Sequence, residues 1–305
     1  MLTAGDLLEM RITYDIIVSD FGRDATIEYL RLMSRSEKRL IKTILEPDGH
    51  EFFDEYRRIM YTVIGDLAFF KELAIAESAA SNGYLTEDIL IGVGAFPIMT
   101  QEVVDRVALS VLQEALAAID RGHERLRVMI PCNTLSALAK KIGQIIRSAE
   151  ELRRIVEAYA PALPEFERVV FAHIRVYTVP EAVMRHLAEI KMPGEMTHLL
   201  VLGTRDTNAF YESLADSYAI NVLPVKDWEY ELIHRAVVAS IGGDKNEVDL
   251  CCNQLQKELI EPRSDLFDNL VVLEACTDFR LALGLSSLEV FADAMVGDCY
   301  RPQIP

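Results

Sequence analysis

Positive charge is what this sequence is short of. Against 48 Asp and Glu stand 31 Lys and Arg, leaving a net charge of −17 at pH 7. That balance does not provide the broad basic face that phosphate backbones and anionic lipid surfaces require, so no nucleic-acid or membrane partner is expected. An anionic ligand would instead need a local group of Arg, Lys or backbone N–H donors inside an acidic molecule. Long apolar runs are missing as well. Half of the 305 residues are hydrophobic, enough for one large core or two moderate ones. Even so, no run approaches the roughly 20 residues that cross a bilayer. Residues 1–10 carry acids where a secretory signal would place a basic and then an apolar segment, which sets a cytoplasmic location as the expectation. Cysteine is sparse: Cys132, Cys251, Cys252, Cys276 and Cys299 are the only five. An odd number in a chain of this length does not suit a disulfide framework. No pair has C-x-x-C spacing and the His residues do not cluster with Cys, so no structural metal is expected.

What is present alternates strand-like and helix-like segments. Apolar runs predict strands at 14–19, 89–93, 127–130, 169–176, 199–202, 221–223 and 270–273. Helical periodicity predicts helices from Ile27, Leu30 and Met33 onward and at 102–119, 135–158, 180–190, 208–218, 230–240, 247–260 and 288–295. Residues 34–81 read as charged amphipathic helix broken at Pro47-Asp48-Gly49. Strands alternating with helices of this length predict an α/β protein of parallel βαβ units. Pro161 and Pro164 place a boundary between two lobes near 161–168. The expected organisation is an N-terminal lobe over 1–165, with an unusual helical insertion at 34–87, and a second lobe over 166–284. The segment 285–305 is expected to pack back on the first lobe. In open parallel sheets ligands bind beyond the carboxyl ends of the strands. Small polar residues leave such ends at 132–134, 203–207 and 276–278.

Cys132 and Cys276 share a setting. Each follows an apolar strand, has Thr close behind it, and precedes a helical pattern. A thiol at a helix N-terminus feels the positive end of the dipole and unpaired N–H groups, which favour thiolate over an ordinary pKa of about 8.5. Two such thiols, one from each lobe, suit proton transfer at opposite faces of one carbon.

These segments resemble the aspartate/glutamate racemases in order along nearly the whole chain. Ser19-Asp20-Phe21-Gly22-Arg23-Asp24-Ala25-Thr26 is similar to that family's first turn and helix, and Pro131-Cys132-Asn133-Thr134 to its Cys-Asn-Thr signature. Leu202-Gly203-Thr204-Arg205-Asp206-Thr207, with Phe210-Tyr211 after it, resembles the Gly-Thr-x-x-Thr segment, and Ala275-Cys276-Thr277-Asp278 the second Cys-Thr signature. The resemblance implies two pseudo-symmetric lobes with the active site between them, a homodimer, and no pyridoxal phosphate, other cofactor or metal. It makes Cys132 and Cys276 the acid/base pair. Asn133, Thr134 and Thr277 would hold the substrate carboxylate; Asp20, Gly22, Thr204, Thr207 and Asp278 would line the site. Lys245 would meet a side-chain carboxylate, as a lysine does in aspartate racemases.

Three departures bear on the substrate. Asp278 stands where aspartate racemases have Glu and glutamate racemases His, and Ser136 where aspartate racemases often have His. The first turn lacks the usual Gly-Met-Gly-Pro. Beside the sharp readings stand bland ones. Cys251, Cys252 and Cys299 read as buried small hydrophobes, Gly203-Thr204 as a turn and helix cap, Lys245 as a loop lysine, and His234 as a packing or surface residue. The expected function is racemisation or epimerisation of an amino acid, plausible for aspartate or glutamate, with Arg23, Arg205 or Lys245 compensating substrate charge. The alternatives are other reactions of the same fold (maleate cis–trans isomerisation, hydantoin racemisation, decarboxylation) or a non-catalytic binding protein.

Overall fold

A computed structural model describes residues 3, 6, 10–18, 23–45, 58–64, 101–123, 125–133, 135–163, 165–172, 174–191, 194–242, 244–275 and 283–300. Two four-stranded sheets carry the fold, and the pairings within both are parallel. The first holds β1 (Thr13–Val18), β2 (Ile59–Ile64), β3 (Arg125–Met129) and β4 (Ile174–Tyr177), in the order β2-β1-β3-β4. The second holds β5 (Thr197–Leu202), β6 (Ile220–Val222), β7 (Leu270–Glu274) and β8 (Leu285–Ser286), in the order β6-β5-β7-β8. The two orders are the same: the first strand lies between the second and the third. Each sheet thus reverses its direction of growth between its first and third strands, which is where a crevice opens beyond the strand ends. This is the α/β architecture of two like lobes that the alternating pattern predicts.

Helices α1 (Arg23–Leu45) and α2 (Gln101–Asp120) belong to the first half of the chain. Between β3 and β4 run α3 (Ser136–Ile146), α4 (Ala149–Tyr159) and the single turn α5 (Arg168–Phe171). From the first sheet α6 (Val179–Ile190) leads to the second, and α7 (Arg205–Tyr218) joins β5 to β6. Three more segments precede β7: α8 (Asp227–Gly242), α9 (Lys245–Gln254) running into a π-helical stretch (Leu255–Ile260), and α10 (Glu261–Ser264). Last comes α11 (Ser287–Cys299). Local chemistry sets the ends. Gly122, at φ 85°, closes α2 in a conformation that costs glycine little. Thr178, Thr204 and Ser286 cap α6, α7 and α11 by accepting N–H bonds from Glu181, Thr207 and Glu289.

Four expectations are corrected. The helix predicted over 135–158 is two helices, because Ser148 accepts from the Glu151 N–H and starts a second one. The strand predicted over 169–176 begins as α5, and only Ile174–Tyr177 is extended. That strand pairs with β3, so the division between sheets falls after β4 and not at 165/166. The helical reading of 34–87 fails at Ile59–Ile64, a β-branched run that forms edge strand β2 with Met60, Tyr61 and Val63 exposed. The strand expected at 89–93 lies outside the described residues.

Three cores hold these layers. One face of the first sheet (Ile16, Val18, Leu126, Val128) packs on α2, α3 and α4. The other face shares a continuous core with the second sheet: Ile17 and Met129 meet Leu199, Val201 and Leu273 through Tyr29, Leu187, Phe291 and Met295 of α1, α6 and α11. The outer face of the second sheet, through Leu200 and Leu202, packs on α8, α9 and the π-helical stretch. A buried ion pair lies in the shared layer. Arg127 donates to both oxygens of Asp15 at 2.8 and 2.7 Å and to the Met295 carbonyl at 2.6 Å. Burial works against the Arg127 charge, but Asp15 more than offsets it and holds the guanidinium protonated. The C-terminal helix α11 is tied to the first half of the chain at further points. Tyr177 donates to Asp298 at 2.6 Å, Tyr300 to Glu37 at 2.6 Å, and Arg39 to Asp293 at 2.9 Å. Among the described residues no helix is long and apolar enough to cross a membrane.

Candidate active site

Among the described residues, Cys132 and Asn133 follow the carboxyl end of β3, and Gly203 and Thr204 that of β5. Beyond β3, Ile130 and Pro131 lead to Cys132 and Asn133, which are 7% and 2% exposed. The turn is tight: the Cys132 N–H donates to the Ile130 carbonyl at 2.8 Å. Ser136 opens α3 and secures the same turn. Its N–H donates to the Asn133 carbonyl at 3.1 Å and its hydroxyl to the Cys132 carbonyl at 3.4 Å. No side chain caps α3 at Leu135, so the positive end of that helix, with its first N–H groups, stands next to the Cys132 turn.

The Asn133 amide is held from two other elements. Its Oδ1 accepts from the Tyr211 hydroxyl of α7 at 2.9 Å, and its Nδ2 donates to Ser287 Oγ at 2.9 Å, the first residue of α11. All three side chains are buried. Burial pushes the Tyr211 hydroxyl well above the ordinary tyrosine range, so it stays a neutral donor. Adjacent serines divide the work at α11: Ser286 caps the helix while Ser287 faces Asn133.

At the end of β5, Gly203 precedes the cap Thr204. A Cβ on Gly203 would stand 3.0 Å from Thr207 Cγ2 and 3.2 Å from Ala275 Cβ. The small residue lets the first turn of α7 approach the end of β7, where the Ala275 N–H donates to the Leu202 carbonyl at 3.0 Å. Thr204 accepts from the Thr207 N–H at 3.3 Å and donates to its hydroxyl at 3.0 Å, the cap geometry of the bland reading. Beside Ala275, the buried Glu274 accepts from the N–H groups of Leu283 at 2.6 Å and Gly284 at 3.2 Å. One carboxylate thus joins the end of β7 to the residues just before β8.

Other expected site residues stand elsewhere. Lys245 is exposed at the first position of α9 and makes no hydrogen bond or ion pair to a described residue. Arg205 pairs with Asp227 at 2.9 Å and lies over the Tyr230 ring. Asp20, Gly22, Thr134, Cys276, Thr277, Asp278 and the Arg23 side chain lie outside the described residues. The cysteines without motifs are different in kind. Burial pushes the thiols of Cys251 and Cys252 up, and that of Cys299 to about 11. They stay protonated at neutral pH; Cys251 and Cys299 are buried small hydrophobes and Cys252 is half-buried. Among the described residues, no group of three or more His, Cys, Asp or Glu could hold a metal ion. Sequence reasoning missed Tyr211, Ser287 and Glu274 as site residues. Tyr211 lies in a quoted motif, yet its contact with Asn133 depends on how α7 packs, and nothing local marks Ser287 or Glu274.

No protein-family model matches this chain, and no curated protein matches it significantly. Among solved structures it is similar to a candidate Asp/Glu racemase from Yersinia pestis, at TM-score 0.55 and 12% identity, over 95% of this chain and 100% of that one. It is also similar to an aspartate racemase homologue from Pyrococcus horikoshii OT3, at TM-score 0.51 and 14% identity, over 95% and 99% of the two chains. The fold is that of the aspartate/glutamate racemases.

Proposed function

We propose that the chain is a cytoplasmic, cofactor-independent racemase or epimerase of an amino acid, with aspartate and glutamate as first candidates. One observation carries the reading. Asn133, next to Cys132, is hydrogen-bonded to α7, and the first turn of α7 packs against Ala275, next to Cys276. These contacts support the reading in which the segments that follow β3 and β7 serve one site.

In this reaction one cysteine thiolate takes the α-proton, breaking Cα–H and forming S–H. The electron pair passes into the carboxylate-stabilised carbanion. The second thiol then gives its proton to the opposite face of Cα, and the two sulfurs exchange protonation states. Without a cofactor the barrier must fall by positioning and by donors aimed at the developing charge. The first-turn N–H groups of α3 after that of Ser136, and the Asn133 Nδ2–H that no described residue takes, are such donors, with Thr134 and Thr277 on the same carboxylate. Lys245, Arg205 and Asp278 are the residues on which the choice of substrate side chain turns. The protein is a homodimer in this reading, which sedimentation at working concentration tests.

The test is α-proton exchange. Single enantiomers of aspartate, glutamate and then other amino acids are incubated in D2O, followed by NMR and optical rotation. Wild type should incorporate α-deuterium and lose rotation, and Cys132→Ser and Cys276→Ser should each lower turnover roughly 10³-fold. Absence of exchange on every amino acid contradicts the reading. Turnover of maleate, a hydantoin or an arylmalonate that only Cys132→Ser abolishes would assign a one-cysteine reaction of the same fold. Binding without exchange would assign a binding protein.

A further inference from the structure

Two side chains meet at Asn133 from parts of the chain far away in sequence. Tyr211 comes from α7, behind the second sheet's first strand, and Ser287 from α11, which starts directly after β8. An Asn amide offers two N–H donors and a carbonyl acceptor. Tyr211 takes the carbonyl and Ser287 one N–H, which leaves one Nδ2–H without a partner among the described residues. With both ends anchored, the amide plane cannot turn over, so that remaining N–H keeps one direction. Tyr211, Asn133 and Ser287 are 0%, 2% and 1% exposed, so no water competes for the three groups.

We propose that Tyr211 and Ser287 are positioning residues that clamp the Asn133 amide, and that the clamp aims its free N–H at the substrate carboxylate. The assignment of that carboxylate rests on the racemase reading; the clamp itself does not. Both clamping residues come from beyond β4, whereas Asn133 follows β3. The same two hydrogen bonds therefore also fix how the strand end bearing Cys132 sits against α7 and α11.

A double-mutant cycle isolates this role from packing. Tyr211→Phe keeps the ring and removes only the hydroxyl. It should lower kcat/KM for the exchanged amino acid about tenfold, the size of one lost hydrogen bond. Ser287→Ala should do the same, and Asn133→Ala more. In the Asn133→Ala background, adding Tyr211→Phe should change nothing further, because the hydroxyl acts only through the amide it holds. Losses that multiply across the cycle, or a Tyr211→Phe variant with wild-type kcat/KM, would overturn the proposal. A second readout needs no turnover. In protein labelled with 15N-Asn, the Asn133 Nδ2 proton held by Ser287 should exchange slowly with solvent, and fast in Tyr211→Phe and in Ser287→Ala. Fast exchange of both Nδ2 protons in wild type would also overturn the clamp. Loss of α-proton exchange with every amino acid in wild type, with the amide still protected, would fault the reaction reading while leaving the clamp standing.

Discussion

The two sheets share a strand order but not an interior. Seen from the shared core, the second sheet presents Leu199, Val201, Leu273 and Ala275. The first sheet presents Ile17 and Met129, with the Asp15–Arg127 pair beside them in neighbouring register. The rest of that network is the Met295 carbonyl, Asp298 and Cys299, all on α11. Duplication is therefore a matter of backbone and strand ends. What repeats among the described residues is the strand order and the parallel pairing. The middles differ because only the first sheet has to bind the C-terminal helix through polar contacts as well as apolar ones.

The largest expected effect breaks this asymmetry. Arg127→Met keeps the volume but strands Asp15 without a partner, and urea unfolding should show a loss of about 3–5 kcal/mol. The double change Asp15→Leu with Arg127→Met should recover much of it, since a well-packed apolar pair can replace a buried ionic one. A loss under about 1 kcal/mol for Arg127→Met would mean the pair does not hold α11.

The outer edges of the two sheets differ in how a glycine is packed. A Cβ on Gly284, just before β8, would run into the Val272 carbonyl oxygen, and backbone cannot yield there. On the first sheet, a Cβ on Gly143 of α3 would meet the movable Val176 side chain of β4 at 3.3 Å. Gly284→Ala should cost about 3 kcal/mol. Gly143→Ala should lie within about 1 kcal/mol of wild type, since Ala gains about that much in a helix. Equal melting temperatures for the two variants would erase the distinction between a backbone and a side-chain contact at these edges.

A smaller effect sharpens the contrast at α11. Burial first, with Asp15 adding to it and Arg127 opposing, holds the folded Cys299 thiol near 11, above the ordinary value of 9.0. Because the folded value is the higher one, the native state favours the neutral thiol. Its contribution is whole below about pH 9 and is lost as pH rises toward 11. Wild type should lose up to about 2–3 kcal/mol more than Cys299→Ala over that window. Parallel stability curves for the two proteins would contradict this.

How much of this could be read from sequence follows burial. The strands predicted at 14–19, 127–130, 199–202 and 270–273 are β1, β3, β5 and β7 to within two residues. They are the inner strands of their sheets, and inner parallel strands read as unbroken apolar runs. Of the outer strands, β6 reads to within one residue of 221–223, and the other three are harder to read. β2 is half exposed, among charged residues that read as helix. β4 has four residues behind a helical turn, and β8 only two. In the site, Cys132, Asn133 and Gly203 stand out because small polar residues at a strand end are rare without a reason. Tyr211 and Ser287 do not, because their contact exists only once α7 and α11 have closed on Asn133.

The central claim is that the two strand ends act as two bases on opposite faces of one carbon. It is tested most directly by racemising a single enantiomer in D2O to low conversion and measuring α-deuterium separately in each enantiomer. Two separate thiols predict product carrying deuterium throughout, because its proton comes from the second sulfur, while unreacted substrate keeps its protium. Product that retains the substrate's own protium would mean one group removes and returns the proton, and would contradict the account.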